Sequence, residues 1–159
     1  MYKYPKIEKM TNEQLAYFAG LLDGEGCLRI GTFKNSNSDL RYRAFLQIAM
    51  TDRNAINWLS ETISNGIYID KKRKNPISKW CYCWVVNIRE GEELLKRALP
   101  YLIVKKKQAL RFIEFAQTLD WKRTRREPVP NIILNKRKKL YLEMKALNGK
   151  GRKKNEVLS

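Results

Sequence analysis

The sequence predicts an α+β fold in the order helix, strand, strand, helix, strand, strand, helix, followed by a further C-terminal helix. Three observations predict it. Apolar residues recur at helical spacing in separated blocks, the stretches between those blocks alternate with period two, and Asn-, Gly- and Pro-bearing turns divide one from the next. At 159 residues the chain is most simply a single domain, long enough to bury a core. We divide it into a core over residues 1–120 and a basic C-terminal extension over 121–159.

The first helix is expected from Thr11, which has capping-box spacing with Gln14, to an end near Asp23. Ala16, Gly20 and Gly24 lie four apart on it and form a row poor in side chains, along which a second backbone can approach closely. Beyond it, Cys27–Asn35 and Leu40–Met50 read as two strands joined by the polar turn Ser36-Asn37-Ser38-Asp39. Leu28 and Ile30 share one face, and so do Ala44, Leu46 and Ile48. The opposite face carries Arg29, Gly31 and Phe33 on the first strand and Arg41, Arg43, Phe45 and Gln47 on the second.

Thr51-Asp52 starts the next helix, with Ile56, Leu59 and Ile63 at helical spacing before a stop at Asn65-Gly66. In the second strand pair, Ile67 and Ile69 are expected to face the core, leaving Tyr68, Asp70, Lys72 and Lys74 outward. After the turn at Asn75-Pro76, Trp80, Tyr82 and Trp84 alternate with Cys81, Cys83 and Val85, a strand apolar enough to be buried on both faces. Glu90–Leu99 and Lys105–Leu119 return to helical spacing. Trp121–Pro130 is a proline-interrupted connector, Asn131–Leu147 a last amphipathic helix, and Gly149–Ser159 is expected to be disordered.

Composition narrows the function. The net charge is +17, from 33 basic and 16 acidic residues, and residues 121–159 hold 13 of the basic residues against 3 acidic ones. An excess of this size is the electrostatic footprint of a polyanion binder, above all of nucleic acid. The chain has no histidine, which excludes Ser-His and Cys-His nucleophile pairs and the histidine-dependent nucleases. Its three cysteines, Cys27, Cys81 and Cys83, are then expected as free thiols in a reducing intracellular compartment, since neither a signal peptide nor an apolar run of about 18 residues is present. Gly66-Ile67-Tyr68 spells half of the GIY-YIG nuclease signature, but the second half is missing.

Within Phe18-Ala19-Gly20-Leu21-Leu22-Asp23-Gly24-Glu25-Gly26 the small-residue row runs into two carboxylates one glycine apart. Glu25 falls just past the expected helix end, where free backbone carbonyls help to bind a cation. This stretch resembles the signature of the LAGLIDADG homing endonucleases: Leu21 and Asp23 keep the family's residue types and Glu25 stands at the position of its metal-binding acid. A second local match is similar to the family's proline-led turn and basic helix start, Leu99-Pro100-Tyr101-Leu102 followed by Lys105-Lys106-Lys107-Gln108-Ala109.

The resemblance implies the αββαββα order read above, with the antiparallel sheet as a DNA-binding β-saddle. Arg29, Phe33, Arg41, Arg43, Gln47, Tyr68, Lys72, Lys74, Trp80 and Tyr82 are the expected DNA contacts, since arginine pairs with guanine and glutamine with adenine in the major groove. The motif occurs once, so the resemblance implies a homodimer whose interface takes in Ala16, Ala19, Gly20, Asp23 and Gly24. It further implies Mg²⁺-dependent hydrolysis of both strands of a long pseudopalindromic target with 3′ overhangs. Glu25 and the Gly24 backbone oxygen would bind the metal and Lys105 the phosphate charge, while Asp23 caps or buttresses the motif helix. The alternative on the same fold is an intron RNA maturase or a DNA-binding regulator without cleavage. One departure stands out: where many relatives end the second strand on a polar residue, often Gln, this chain reads Ala49-Met50-Thr51-Asp52. A thioether cannot replace an amide there, leaving Gln47, Thr51 or Asp52 as substitutes.

Overall fold

The structure, a computed structural model, describes residues 4–71, 79–119 and 127–149, with residues 67–71 described by their backbone alone. A short N-terminal helix, α1 (Pro5–Glu8), precedes the motif helix α2 (Asn12–Glu25). Thr11 caps α2 through the predicted box: its hydroxyl accepts from the Gln14 N–H and its own N–H donates to Gln14 Oε1, at 3.3 and 3.0 Å. The helix continues two residues past the expected end. The Gly26 N–H still donates to the Leu22 carbonyl, and only at Gly26 does the chain turn extended.

Strands β1 (Gly26–Lys34) and β2 (Leu40–Met50) form a long antiparallel ribbon in which Leu28 pairs with Leu46 and Ile30 with Ala44. All four are buried, as the alternation predicts. The ribbon turns where the Asn35 side chain accepts the N–H groups of Asn37 and Asp39 at 3.1 and 2.8 Å, with Ser38 at φ 63°. Helix α3 (Arg53–Thr62) is capped by Asp52, whose carboxylate accepts the N–H groups of Asn54 and Ala55. Strands β3 (Ile67–Lys71) and β4 (Cys81–Val86) complete an antiparallel sheet in the order β1-β2-β4-β3. Helix α4 (Ile88–Ala98) is capped by Asn87. A 3-10 turn (Leu99–Tyr101), α5 (Lys106–Gln117) and α6 (Asn131–Leu147) follow.

The helices cover one face of the sheet, around a core containing Phe18, Leu22, Leu28, Leu46, Ile48, Trp84, Phe112 and Phe115. Leu140 and Met144 of α6 belong to that same core. Arg137 fastens α6 to the end of α5, donating to Thr118 Oγ1 and to the Thr118 carbonyl at 2.9 and 2.8 Å. Asn148 adds a bond to the Leu28 carbonyl of the edge strand β1 at 2.9 Å. The helical part of the extension is therefore built into the core, and the 120–126 stretch of the connector and residues 150–159 lie outside the described residues.

Trp84 sets the phase of β4. Trp84 is fully buried in the core and donates its indole N–H to the Ser64 carbonyl at 3.4 Å, so the even-numbered residues of β4 take the helix-covered side. Tyr68 is registered against Trp84, whereas Ile67 and Ile69 are registered against Val85 and Cys83. The apolar pattern of β4 does not distinguish its faces, because Cys83 and Trp84 are both buried. The stop at Asn65-Gly66 holds, with the Gly66 N–H donating to the Ser64 carbonyl at 2.6 Å, and a Cβ at Gly66 would lie 2.3 Å from the Val85 carbonyl oxygen and 2.7 Å from the Trp84 indole nitrogen. Close approach requires glycine at that position.

Candidate active site and nucleic-acid face

The last two turns of α2 sort the motif residues by partner. Leu22 and Phe18 are buried, and so is Ala19, at 0% exposure. Ala19 packs inside its own chain and offers no surface to a second one, which corrects its place in the expected interface. Ala16, Gly20 and Gly24 are exposed, and a Cβ built on either glycine meets nothing within 4 Å. The row of small residues is open along its length.

Asp23 reaches across the fold. Its Oδ2 accepts the N–H groups of Ile103 and Val104 at 2.8 and 3.1 Å, and its Oδ1 accepts that of Lys105 at 2.8 Å. The Lys105 ammonium returns to the Asp23 carbonyl oxygen. Burial works to raise the Asp23 pKa, but the three backbone N–H groups and the Lys105 charge outweigh it and hold the carboxyl below its ordinary range. The residue that Asp23 buttresses is therefore the start of α5, not its own helix. It supplies the negative charge that α5 lacks in its own first turn, which contains only Lys106, Lys107 and Gln108 before Ala109.

Glu25 is the last residue of α2 and is exposed, with Gly24 exposed beside it. Gly26, immediately after, cannot be larger: a Cβ there would lie 2.3 Å from Leu22 Cδ1 and 2.5 Å from the Leu22 carbonyl oxygen. The sequence marked Gly26 only as part of the motif, and its role is to let β1 leave the helix directly beneath Glu25. Among the described residues no three carboxylate, thiol or imidazole groups cluster as metal ligands. An exposed carboxylate at a helix C-terminus, where the helix dipole is negative, suits a divalent cation, and one chain brings one such group. The Glu25 carboxylate and the Gly24 backbone oxygen are donors of the hard oxygen type that such a cation takes.

The sheet face away from the helices carries the expected polar set of β1 and β2. Arg29 is paired with Phe45, Gly31 with Arg43, Phe33 with Arg41 and Cys27 with Gln47. Arg29, Phe33 and Arg43 are exposed, while Arg41 and Gln47 are half-buried. Arg41 is held by Asp39 at 3.2 Å. Beyond this ribbon the expected set thins. Tyr82 is registered against Met50 on the helix-covered side and is half-buried against the core, which removes it from the outward face. Tyr68 is registered against Trp84 in the backbone ladder. Trp80 is 48% exposed ahead of β4, and Lys72 and Lys74 lie outside the described residues. Met50 packs against the core and Asp52 is committed to capping α3, so Gln47 is the amide of β2 on the outward face nearest Glu25 in register.

The family model described as LAGLIDADG endonuclease matches residues 18–119. Among solved structures, the archaeal intron-encoded homing endonuclease I-Vdi141I, complexed with DNA, is similar at 23% identity over 91% of this chain and 90% of that one, with a TM-score of 0.69. The homing endonuclease I-CvuI, in complex with the I-CreI target, gives 19% identity over 92% and 87%, with a TM-score of 0.64. The DNA-bound I-GzeII matches at 19% identity and a TM-score of 0.65, where 82% of this chain spans 44% of that one. Among curated proteins none matches the sequence. The family match covers the motif helix from Phe18 onward, the sheet and the Asp23–Lys105 contact together, and by it this chain belongs to the LAGLIDADG endonuclease family.

Proposed function

We propose that the chain is a site-specific double-strand DNA endonuclease that works as a homodimer and hydrolyses phosphodiester bonds with Mg²⁺. The observation that carries this reading is the division between the two motif acids. Asp23 spends both oxygens on the 103–105 loop, which leaves Glu25 as the exposed carboxylate at the end of an open small-residue row.

Three features support two copies. The row Ala16, Gly20, Gly24 is unfilled, the adjacent Ile103 and Val104 are 87% and 68% exposed, and the fold spans less than half of the I-GzeII chain. Paired along that row, two chains would bring their Glu25 residues together and set their sheets on either side as one saddle. Glu25 and the Gly24 carbonyl would hold the cation, which supplies charge neutralisation and an acidified water when bound. Lys105, with its ammonium held beside the end of α2 by the Asp23 carbonyl, places positive charge where a scissile phosphate would lie. Arg29, Arg43 and Gln47 would read base edges, and contacts to phosphates would fix the register of the duplex. A two-fold protein reads a pseudopalindrome, and cutting across the minor groove leaves 3′ overhangs. The free state of Cys27, Cys81 and Cys83 suits the reducing intracellular setting of this reading.

Selection of cleaved sites from a random duplex library in Mg²⁺ tests the proposal. The expected result is one enriched pseudopalindrome cut on both strands. Enrichment by binding with no cleavage would identify a DNA-binding regulator, and recovery of structured RNA in place of DNA would identify a maturase.

A further inference from the structure

The β1–β2 ribbon carries two aromatic rings on the face that is otherwise its most polar, and both lie beneath guanidinium groups. The Arg29 guanidinium sits 4.5 Å from the centroid of Phe45, its direct cross-strand partner. That of Arg43 sits 4.8 Å from the centroid of Phe33, diagonally across the ribbon, and 5.8 Å from Phe45 on its own strand. The four residues form one alternating row, Arg29, Phe45, Arg43, Phe33. Among the described residues neither arginine is ion-paired, in contrast to Arg41, which is held by Asp39.

Gly31 leaves space beside the row. It stands opposite Arg43, and a Cβ there would come within 3.2 Å of the edge of the Phe45 ring. Its backbone has no positive φ, so the glycine supplies room for the ring. Phe33 is 40% exposed, and its ring lies beneath the Arg43 guanidinium.

We propose that Phe45 and Phe33 are positioning residues that orient the Arg29 and Arg43 guanidiniums before DNA arrives, and that they thereby set the base preference of this ribbon. The proposal rests on the DNA-cleaving reading above. An arginine on an open strand face samples many rotamers, and ordering it on binding opposes affinity. A ring beneath the planar guanidinium restricts those rotamers while leaving the edge N–H donors free for the two acceptors of a guanine. The rings touch no base in this scheme. Their effect appears as discrimination, because a loose arginine still meets phosphates but no longer prefers one base.

The test is binding selection from a random duplex pool in Ca²⁺ with the wild-type chain, the Phe33→Leu/Phe45→Leu double variant, Phe45→Tyr and Gly31→Ala. Wild type is expected to enrich a site with guanine at the positions facing Arg29 and Arg43. In the double variant that guanine preference should fall about three- to ten-fold, the scale of two exposed cation–π contacts, with the rest of the site unchanged. Phe45→Tyr, which keeps the ring, should retain it, and Gly31→Ala, which crowds the ring, should weaken it. Should the double variant fail to fold, Phe33→Leu at its exposed position and the mild Gly31→Ala carry the same comparison. Arginine Nε–Hε relaxation of the free protein adds a readout a purely structural role would not move: Arg29 and Arg43 are expected to be ordered in wild type and averaged in the variants. A double variant that recovers the wild-type site base for base would overturn this proposal alone. A wild type that enriches no sequence would overturn the DNA reading and this proposal with it.

Discussion

Asp23 and Lys105 hold one another twice: the aspartate carboxylate accepts the lysine backbone N–H at 2.8 Å, and the lysine ammonium donates to the aspartate carbonyl. Eighty-two positions separate them in sequence. The contact fixes the end of α2 to the start of α5, so the exposed Glu25 and the half-buried Lys105 are set by one joint.

That joint predicts an acid dependence. The folded-state pKa of Asp23 lies below its ordinary value of 3.8, so its contribution is fully present above that value and is lost as pH falls through the folded pKa. Asp23→Asn keeps the shape but loses the charge, and is expected to lower stability at pH 7 by about 1–2 kcal/mol, the scale of a lost helix cap. Urea unfolding of both proteins from pH 7 to pH 2.5 checks the sign. The gap between them should be constant above about pH 5 and close below pH 4. A gap that widened in acid would contradict the assignment.

Glu25 separates from Asp23 by a different measurement. It is exposed and sits at the very end of its helix, so Glu25→Gln is expected to leave the melting temperature where it is. Under the proposed function the same change abolishes cleavage of the selected site in Mg²⁺ while leaving DNA binding in Ca²⁺ intact. Cleavage at the wild-type rate would remove Glu25 from the metal.

The row on α2 predicts opposite signs for two substitutions at one position. A Cβ at Gly20 meets nothing in the single chain, so Gly20→Ala is expected to raise the stability of the helix by about 0.5–1 kcal/mol through its better propensity. Gly20→Leu, whose side chain would stand out from that exposed position, would hold a second helix away. Sedimentation equilibrium at micromolar concentration should give a dimer for wild type and a monomer for Gly20→Leu. A wild-type monomer, free and with DNA, would defeat the dimer.

Legibility followed how strongly each segment distinguishes its two sides. The ribbon of β1 and β2 was readable because Leu28, Ile30, Ala44, Leu46 and Ile48 alternate with Arg29, Arg41, Arg43 and Gln47, leaving one register that buries the apolar set. The capping pairs Thr11–Gln14 and Asp52–Ala55 were readable because they are local. β4 was not, since Cys83 and Trp84 are neighbours and both are buried. The partner of Asp23 was out of reach for another reason: its hydrogen bonds cross the whole fold, and nothing near residue 23 encodes them. Ala19 was misread because small size says nothing of direction. It lies about 100° around the helix from Gly20, the middle of the open row, and points inward. Arg137 stands in the run Lys136-Arg137-Lys138-Lys139, which does not mark it as the buried residue bonded to Thr118.

Gly26 offers the sharpest test of how the site is built. Its φ of −79° is open to any residue, so backbone strain does not require glycine there. Space does: the missing Cβ would overlap Leu22 Cδ1 at 2.3 Å, the Leu22 carbonyl oxygen at 2.5 Å and Leu22 Cα at 2.8 Å. Leu22 could move its side chain, but the other two atoms belong to the helix backbone, which carries the Gly26-to-Leu22 hydrogen bond and the adjoining Asp23 clasp. Gly26→Ala is therefore expected to push β1 away from the end of α2, costing about 1–3 kcal/mol as overpacking. It should also lower cleavage by much more than it lowers DNA binding, because Glu25 is the residue at the displaced junction while Arg29 and Arg43 remain on their ribbon. Thermal melting together with paired cleavage and binding assays checks this, and equal losses in both assays would mean that the glycine serves the fold without positioning Glu25.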